Sequence, residues 1–171
     1  MKTIPLTQGK VALVDDADYE WLSKHKWYAY KSRNNFYAAR NVYKNGKWIR
    51  LIHMHRAILN LKPGDKRQCD HQKHNGLDNR RDMIRICTNT QNQYNQSPQK
   101  NCSSTFKGVT WEKNANKWRA RIQVSGKDIS LGYFHIEAEA AKAYDAAAIK
   151  HYGEFAWLNF KSGVLAETGS A

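Results

Sequence analysis

Strict alternation of apolar and polar positions is clearest at Lys117–Val124. There Trp118, Ala120, Ile122 and Val124 alternate with Arg119, Arg121 and Gln123. A period of two predicts a strand with one apolar face and one basic, polar face. Residues 106–111 and Lys127–Phe134 read as flanking strands, the latter entered through a turn at Ser125-Gly126. The period then changes. Ala140, Ala141, Tyr144, Ala147 and Ala148 fall at helical spacing within Glu137–Tyr152, and Gly153 marks the stop. Small side chains let such a helix lie close on the apolar sheet face, leaving the opposite face open for a partner.

The first half is mixed. Val11–Val14 predicts a short strand, and Asp15 or Asp16 can cap a brief helix carrying Trp21 and Leu22. Residues 27–30 and 36–39 are aromatic-rich strand candidates, and the tight turn Lys44-Asn45-Gly46-Lys47 leads into a strand over 48–52. Residues 54–60 suit a short helix ended before Pro63-Gly64. Asn75-Gly76 is a turn signal because both residues tolerate positive φ. Ile84–Cys87 is strand-like, and Thr88 with Gln91 three residues on forms a capping box for a helix that holds Asn92 and stops before Pro98. Residues 96–105 are polar and aperiodic and read as a linker; 167–171 read as a frayed end.

Charge narrows the function. Of 171 residues, 28 are Lys or Arg against 15 Asp or Glu, for a net +13. Such a field favours nucleic acid or an acidic membrane surface. The membrane option is weak, because no apolar run approaches the ~18 residues a spanning helix needs. The first ten residues lack a signal-peptide core, so an intracellular protein is expected. Residues 1–95 carry 18 Lys and Arg against 8 Asp and Glu, a net +10, which leaves +3 for the rest. The basic and aromatic mix of this half has two readings, a DNA surface or core strands. Cys69, Cys87 and Cys102 are odd in number and lack C-x-x-C spacing, so neither a disulfide framework nor structural zinc is expected.

Candidate chemistry concentrates between Cys69 and Asn92. Asp70 and Asn92 offer hard oxygen ligands suited to a Mg²⁺-like ion. His71 can accept a proton near neutral pH. Arg80, Arg81 and Arg85 suit an anionic, phosphate-bearing substrate. Each has a plainer reading: turn chemistry for Asp70-His71, a solvated cluster for Arg80-Arg81, a helix-start residue for Asn92. Neighbouring strand residues also point to opposite faces. Asp70 and His71 share one site only if the strand ends or twists there.

Met54-His55-Arg56-Ala57-Ile58, Asp70-His71, the run from Asn75 to Arg81, Ile84-Arg85 and Asn92 together resemble HNH nucleases of the ββα-metal type, especially phage and intron-associated homing endonucleases. The resemblance implies His71 as general base, with Arg56 and Asn79 in the catalytic site. It implies Asp70 and Asn92 as ligands of one divalent metal, Mg or Mn. The family's central Asn falls here at Met83, a departure for which nearby Asn79 is the candidate substitute. His55 is read as packing, Arg56 as a phosphate contact.

A second resemblance covers 106–160. Phe106-Lys107-Gly108-Val109, Lys117-Trp118-Arg119-Ala120, Leu131-Gly132-Tyr133-Phe134, the run from Glu139 to Asp145 and Leu158-Asn159-Phe160 resemble the Apetala-two/ethylene-response-factor DNA-binding domain. It implies three strands in the major groove, with Lys107, Thr110, Glu112, Arg121, Gln123, Asp128 and Ser130 facing DNA; alternation adds Arg119, and Lys117 is a further expected DNA contact. Family arginines are replaced at Thr110, Glu112, Gln123 and Asp128, so the plant target sequence does not transfer.

The expected architecture is α+β: a ββα-metal HNH unit followed by a three-stranded antiparallel sheet packed on one helix. Expected domains are 1–96, a linker at 97–105, 106–162 and a tail at 163–171. The expected activity is metal-dependent endonucleolytic cleavage of double-stranded DNA in a bacterial or phage-infected cell, by a monomer with a dimer as the alternative. The competing reading is a sequence-specific DNA-binding regulator whose nuclease site has decayed.

Overall fold

A computed structural model describes residues 1–98 and 102–160. The tail expected at 163–171 and residues 99–101 of the expected linker lie outside them. The chain divides into two compact units, the first ending at Asn92 and the second beginning at Gln93.

In unit 1, β1 (Lys2–Pro5) pairs antiparallel with β2 (Val11–Val14), followed by α1 (Asp16–Ser23). The sequence pattern gave no sign of β1, whose only buried side chain is Ile4. Then β3 (Tyr28–Ser32), β4 (Asn35–Lys44) and β5 (Lys47–His53) form an antiparallel sheet in that order. After α2 (Met54–Ile58), β6 (Gln68–His71) pairs with β7 (Ile84–Cys87), and α3 (Asn89–Tyr94) follows. Val14, Leu22, Trp27, Ala38, Met54, Ile58 and Ile84 make the core, and the Trp27 indole donates to Leu22 O at 2.8 Å.

Two local readings behave differently. The capping box forms as expected: Thr88 N–H donates to Gln91 Oε1 at 2.8 Å and Gln91 N–H to Thr88 Oγ1 at 3.1 Å. The turn at Asn75-Gly76 forms without the expected positive φ: Asp78 N–H donates to Asn75 O at 3.0 Å and Leu77 N–H to Asn75 Oδ1 at 3.1 Å. It sits inside a long loop between β6 and β7, and positive φ occurs at His74 (59°), not at Gly76. Gly76 is there for space, because a Cβ would run into Phe36 O and the Tyr37 ring. The loop is tied back to β2, with Leu13 N–H donating to Leu77 O at 2.9 Å and Asn79 N–H to Leu13 O at 2.8 Å.

Unit 2 is a three-stranded antiparallel sheet, β8 (Val109–Glu112), β9 (Lys117–Val124) and β10 (Lys127–Phe134), covered by α4 (Glu137–Tyr152). The first strand is shorter than expected. Gly108 breaks it with φ of 77°, and a Cβ there would meet the Tyr144 ring and, at 2.7 Å, Arg121 O. Ala120, Ala140, Ala141 and Ala148 are fully buried, so helix and sheet backbones meet with little between them. Asp145 closes the far end. Its carboxylate accepts from Asn159 N–H at 2.9 Å and Phe160 N–H at 2.8 Å, while Asn159 Oδ1 accepts from Lys107 N–H at 2.7 Å. The Leu158-Asn159-Phe160 word is thus a clasp. Part of the expected linker is also structural, since Ser103 Oγ accepts from Trp111 N–H at 2.8 Å and Ser104 is buried.

Gly108 and Gly126 both hold positive φ, but only Gly108 is crowded. Gly126→Ala is expected to cost about 1 kcal/mol from backbone strain alone. Gly108→Ala is expected to cost about 2–4 kcal/mol, because overpacking against Tyr144 adds to that strain. Urea unfolding of the two variants checks the difference.

Candidate nucleic-acid interface

The outer face of the unit 2 sheet is built by register. Thr110 pairs with Arg119, which pairs with Tyr133; Glu112 pairs with Lys117; Arg121 pairs with Ser130; Gln123 pairs with Asp128. These positions alternate with Trp118, Ala120 and Ile122 on the helix-covered side, so one pleat sets both faces. Arg121, Gln123, Asp128 and Ser130 are exposed; Thr110, Lys117 and Arg119 are half-exposed. Arg121 Nη1 lies 3.2 Å from Asp128 Oδ2, an open ion pair that holds the guanidinium over the sheet.

Two positions depart from expectation. Tyr133 joins the face, at 48% exposure, and was missed because a register shift between Ser130 and Gly132 breaks the alternation of β10. Lys107 does not join it. Its ammonium donates to Tyr94 O and Gln96 O at 2.7 Å each, and more weakly to Gln93 O. Burial pushes its pKa down to about 8. Lys107 therefore secures the segment that enters unit 2, as does Tyr94, stacked on Tyr152 at 3.7 Å.

In unit 1 three of the arginines expected to hold phosphate are engaged with carboxylates. Arg80 pairs with Asp78 at 2.7 Å, Arg81 with Asp18 at 2.8 Å and Arg85 with Asp70 at 2.7 Å. Arg81 N–H also donates to Asp15 Oδ2, which takes that carboxylate away from capping α1. Arg56 braces the following loop, donating to Arg67 O and Asp65 O at 3.0 Å each. Asn79 is fully buried and donates to Leu77 O. Asn92 lies in α3, with its N–H donating to Thr88 O at 3.0 Å. Asp70 and His71 end β6 and are both buried.

His71 sits in an aromatic cluster instead of open solvent. Its ring lies 4.9 Å from His55 and 5.7 Å from Tyr37, and His55 stacks on His53 at 5.2 Å. Burial pushes His71 down to about 4, with Asn79 and Asp70 pulling the other way. His55 is held well below its ordinary value by burial and then by His71. Among the described residues, no group of three or more His, Cys, Asp and Glu is placed to hold a metal ion.

A three-stranded antiparallel sheet backed by one helix, with a basic and polar outer face, has a shape and charge that suit a nucleic-acid groove. Comparison with known proteins agrees. The family model described as AP2 domain matches residues 104–154. AP2-like ethylene-responsive transcription factor AIL7 of Arabidopsis thaliana is 49% identical over 61 residues, covering 34% of this chain and 12% of that protein. AP2-like ethylene-responsive transcription factor CRL5 of Oryza sativa subsp. japonica is 50% identical over 60 residues, covering 34% and 9%. The chain therefore spans about a tenth of the length of these relatives. Unit 2 carries an AP2 domain.

These relatives correct the enzyme reading. By name they are transcription factors, and they overturn the hydrolase, endonuclease, HNH and metal-binding assignments. The geometry supplies a physical reason. The Asp70 carboxylate, expected on a metal, is bound by Arg85, and the His71 ring is buried against His55 and Tyr37. The parts given to His71, Arg56 and Asn79, and the Mg or Mn ligation given to Asp70 and Asn92, stay expectations from the sequence. The relatives are plant proteins and give no support to a bacterial or phage setting. No helix among the described residues is long and apolar enough to cross a membrane.

The buried histidines set a pH dependence. Unfolded, His55 and His71 bind protons near their ordinary 6.5; folded, His71 resists until about 4. Between those values the unfolded chain holds more protons, so stability falls as pH falls, by on the order of 1 kcal/mol per pH unit for each such group. The urea midpoint of unit 1 is expected to drop between pH 7 and pH 5, and His71→Gln is expected to flatten that slope.

Proposed function

We propose that the chain is a sequence-specific binder of double-stranded DNA and a regulator of AP2 type, with the outer face of β8–β10 as its reading surface. The observation that carries the reading is the face itself: Lys117, Arg119, Arg121 and Gln123 stand side by side on one strand, inside the segment similar to DNA-binding transcription factors. A sheet of this width suits the major groove, where Arg pairs bidentately with guanine and Gln with adenine. Lys117 and Arg119 serve the phosphates and fix register; Arg121 and Gln123 reach base edges. Asp128 keeps Arg121 aligned until DNA replaces it.

Since the residues at Thr110, Glu112, Gln123 and Asp128 differ from the arginines of the resembled family, the preferred sequence belongs to this chain. Selection from a randomised duplex pool by the full chain is expected to enrich one short site. Arg121→Ala with Gln123→Ala is expected to cut preference for that site over random duplex about tenfold or more, each bidentate pair carrying roughly 1–3 kcal/mol of discrimination. An undiminished preference in the double variant would move specificity off this face.

A further inference from the structure

The ribbon formed by β4 and β5 in unit 1 has no part in the function proposed above, and its composition is one-sided. From Tyr28 to His53 the chain holds six cations, Lys31, Arg33, Arg40, Lys44, Lys47 and Arg50, and no Asp or Glu. Among the described residues, the unit's ion pairs Met1–Asp16, Arg67–Asp65, Arg80–Asp78, Arg81–Asp18 and Arg85–Asp70 use none of the six. Lys44 and Lys47 face each other across the Asn45-Gly46 turn, and Arg50 follows on β5, the sheet's edge strand; all three are exposed.

Between these charges stands an uncovered aromatic pair. Tyr43 and Trp48 are cross-strand partners, 60% and 59% exposed, and the Trp48 indole donates to Asn41 Oδ1 at 3.2 Å. That oxygen also takes the Tyr28 hydroxyl at 3.4 Å, so the Trp48 ring is held at the surface by hydrogen bonding while its face stays open. A register shift between Val42 and Tyr43 bends the ribbon just before its tip.

Lysines on an edge strand also guard against edge-to-edge pairing. That role leaves the exposed Tyr43 and Trp48 unexplained, since large aromatics invite the association that lysines prevent. A second copy is a poor occupant, because two acid-free patches of this charge repel. A polyanion is the complementary partner, and a two-stranded ribbon has the width of the DNA major groove. We propose that the β4–β5 ribbon is a second contact with duplex DNA, its lysines and Arg50 on phosphates and Tyr43 and Trp48 against the groove. The proposal rests on the chain being a DNA-binding protein and assigns unit 1 a direct share in affinity.

The test uses the full chain, the site selected above and a random duplex, with dissociation constants measured across a range of salt. Lys44→Gln, Lys47→Gln and Arg50→Gln together are expected to lower the salt slope by about 2–3, since each phosphate no longer neutralised removes about 0.9 from it. They are expected to weaken selected and random duplexes alike, leaving their ratio unchanged. Trp48→Ala, in a protein with the parent's circular dichroism, is expected to weaken both about tenfold. An unchanged slope in the folded triple variant overturns the proposal. So does an equal fall on replacing Lys24, Lys26 and Lys62 by Gln, which would make net charge the cause, or a single strand competing better than duplex. Failure of the AP2-face reading is separate: the selected site would lose its advantage in no face variant, while the ribbon variants still lowered the slope.

Discussion

Everything in unit 2 depends on how closely α4 can approach the sheet. Ala140, Ala141 and Ala148 on the helix and Ala120 on β9 are fully buried, and these small side chains keep the two backbones close. Gly108 extends the same close approach, yielding its Cβ space to the Tyr144 ring. This packing uses one face of each strand, and strand geometry sends every alternate side chain to the other. The outer face is therefore the remainder of the core: Arg119, Arg121 and Gln123 face outward because Trp118, Ala120 and Ile122 face inward. The Asp145–Asn159–Lys107 clasp fixes the edges of that arrangement without touching the face.

A cation can stay available to a partner or be committed to the fold, and the two units differ in this. In unit 1, Arg80, Arg81 and Arg85 neutralise Asp78, Asp18 and Asp70, three acids that are themselves buried. A buried carboxylate without its partner costs several kcal/mol, so these arginines are held by the structure. The cations of β3–β5 and of the unit 2 face have no such duty, apart from the exposed Arg121–Asp128 pair. The pairs at Asp78, Asp18 and Asp70 cancel within the net charge of +13, so that excess belongs to cations outside them.

Much of unit 2 was legible in the sequence because its periods are clean: β9, β10 and α4 have the bounds the pattern predicts. Tyr133 was not, since a bulge shifts the alternation by one residue without a composition signal. Lys107 was misplaced because its neighbour Gly108 turns the chain before β8 begins, directing the ammonium to the carbonyls of Gln93, Tyr94 and Gln96. In unit 1, residue types promised a site: an acid, a histidine and three arginines within a short stretch. Sequence order cannot tell an arginine waiting for phosphate from one already paired with an aspartate far along the chain, as Arg81 is with Asp18. Nor does it distinguish an open histidine from one packed against Tyr37 and His55.

The outer face of β8–β10 as the DNA-reading surface is tested most directly by an NMR titration of the isotopically labelled full chain with its selected duplex. The account predicts the largest shifts at Thr110, Arg119, Arg121, Gln123 and Tyr133, with the solvent side of α4, at Ile149 and Lys150, little changed. Shifts concentrated on α4, with the five sheet positions unmoved at saturating DNA, would contradict it.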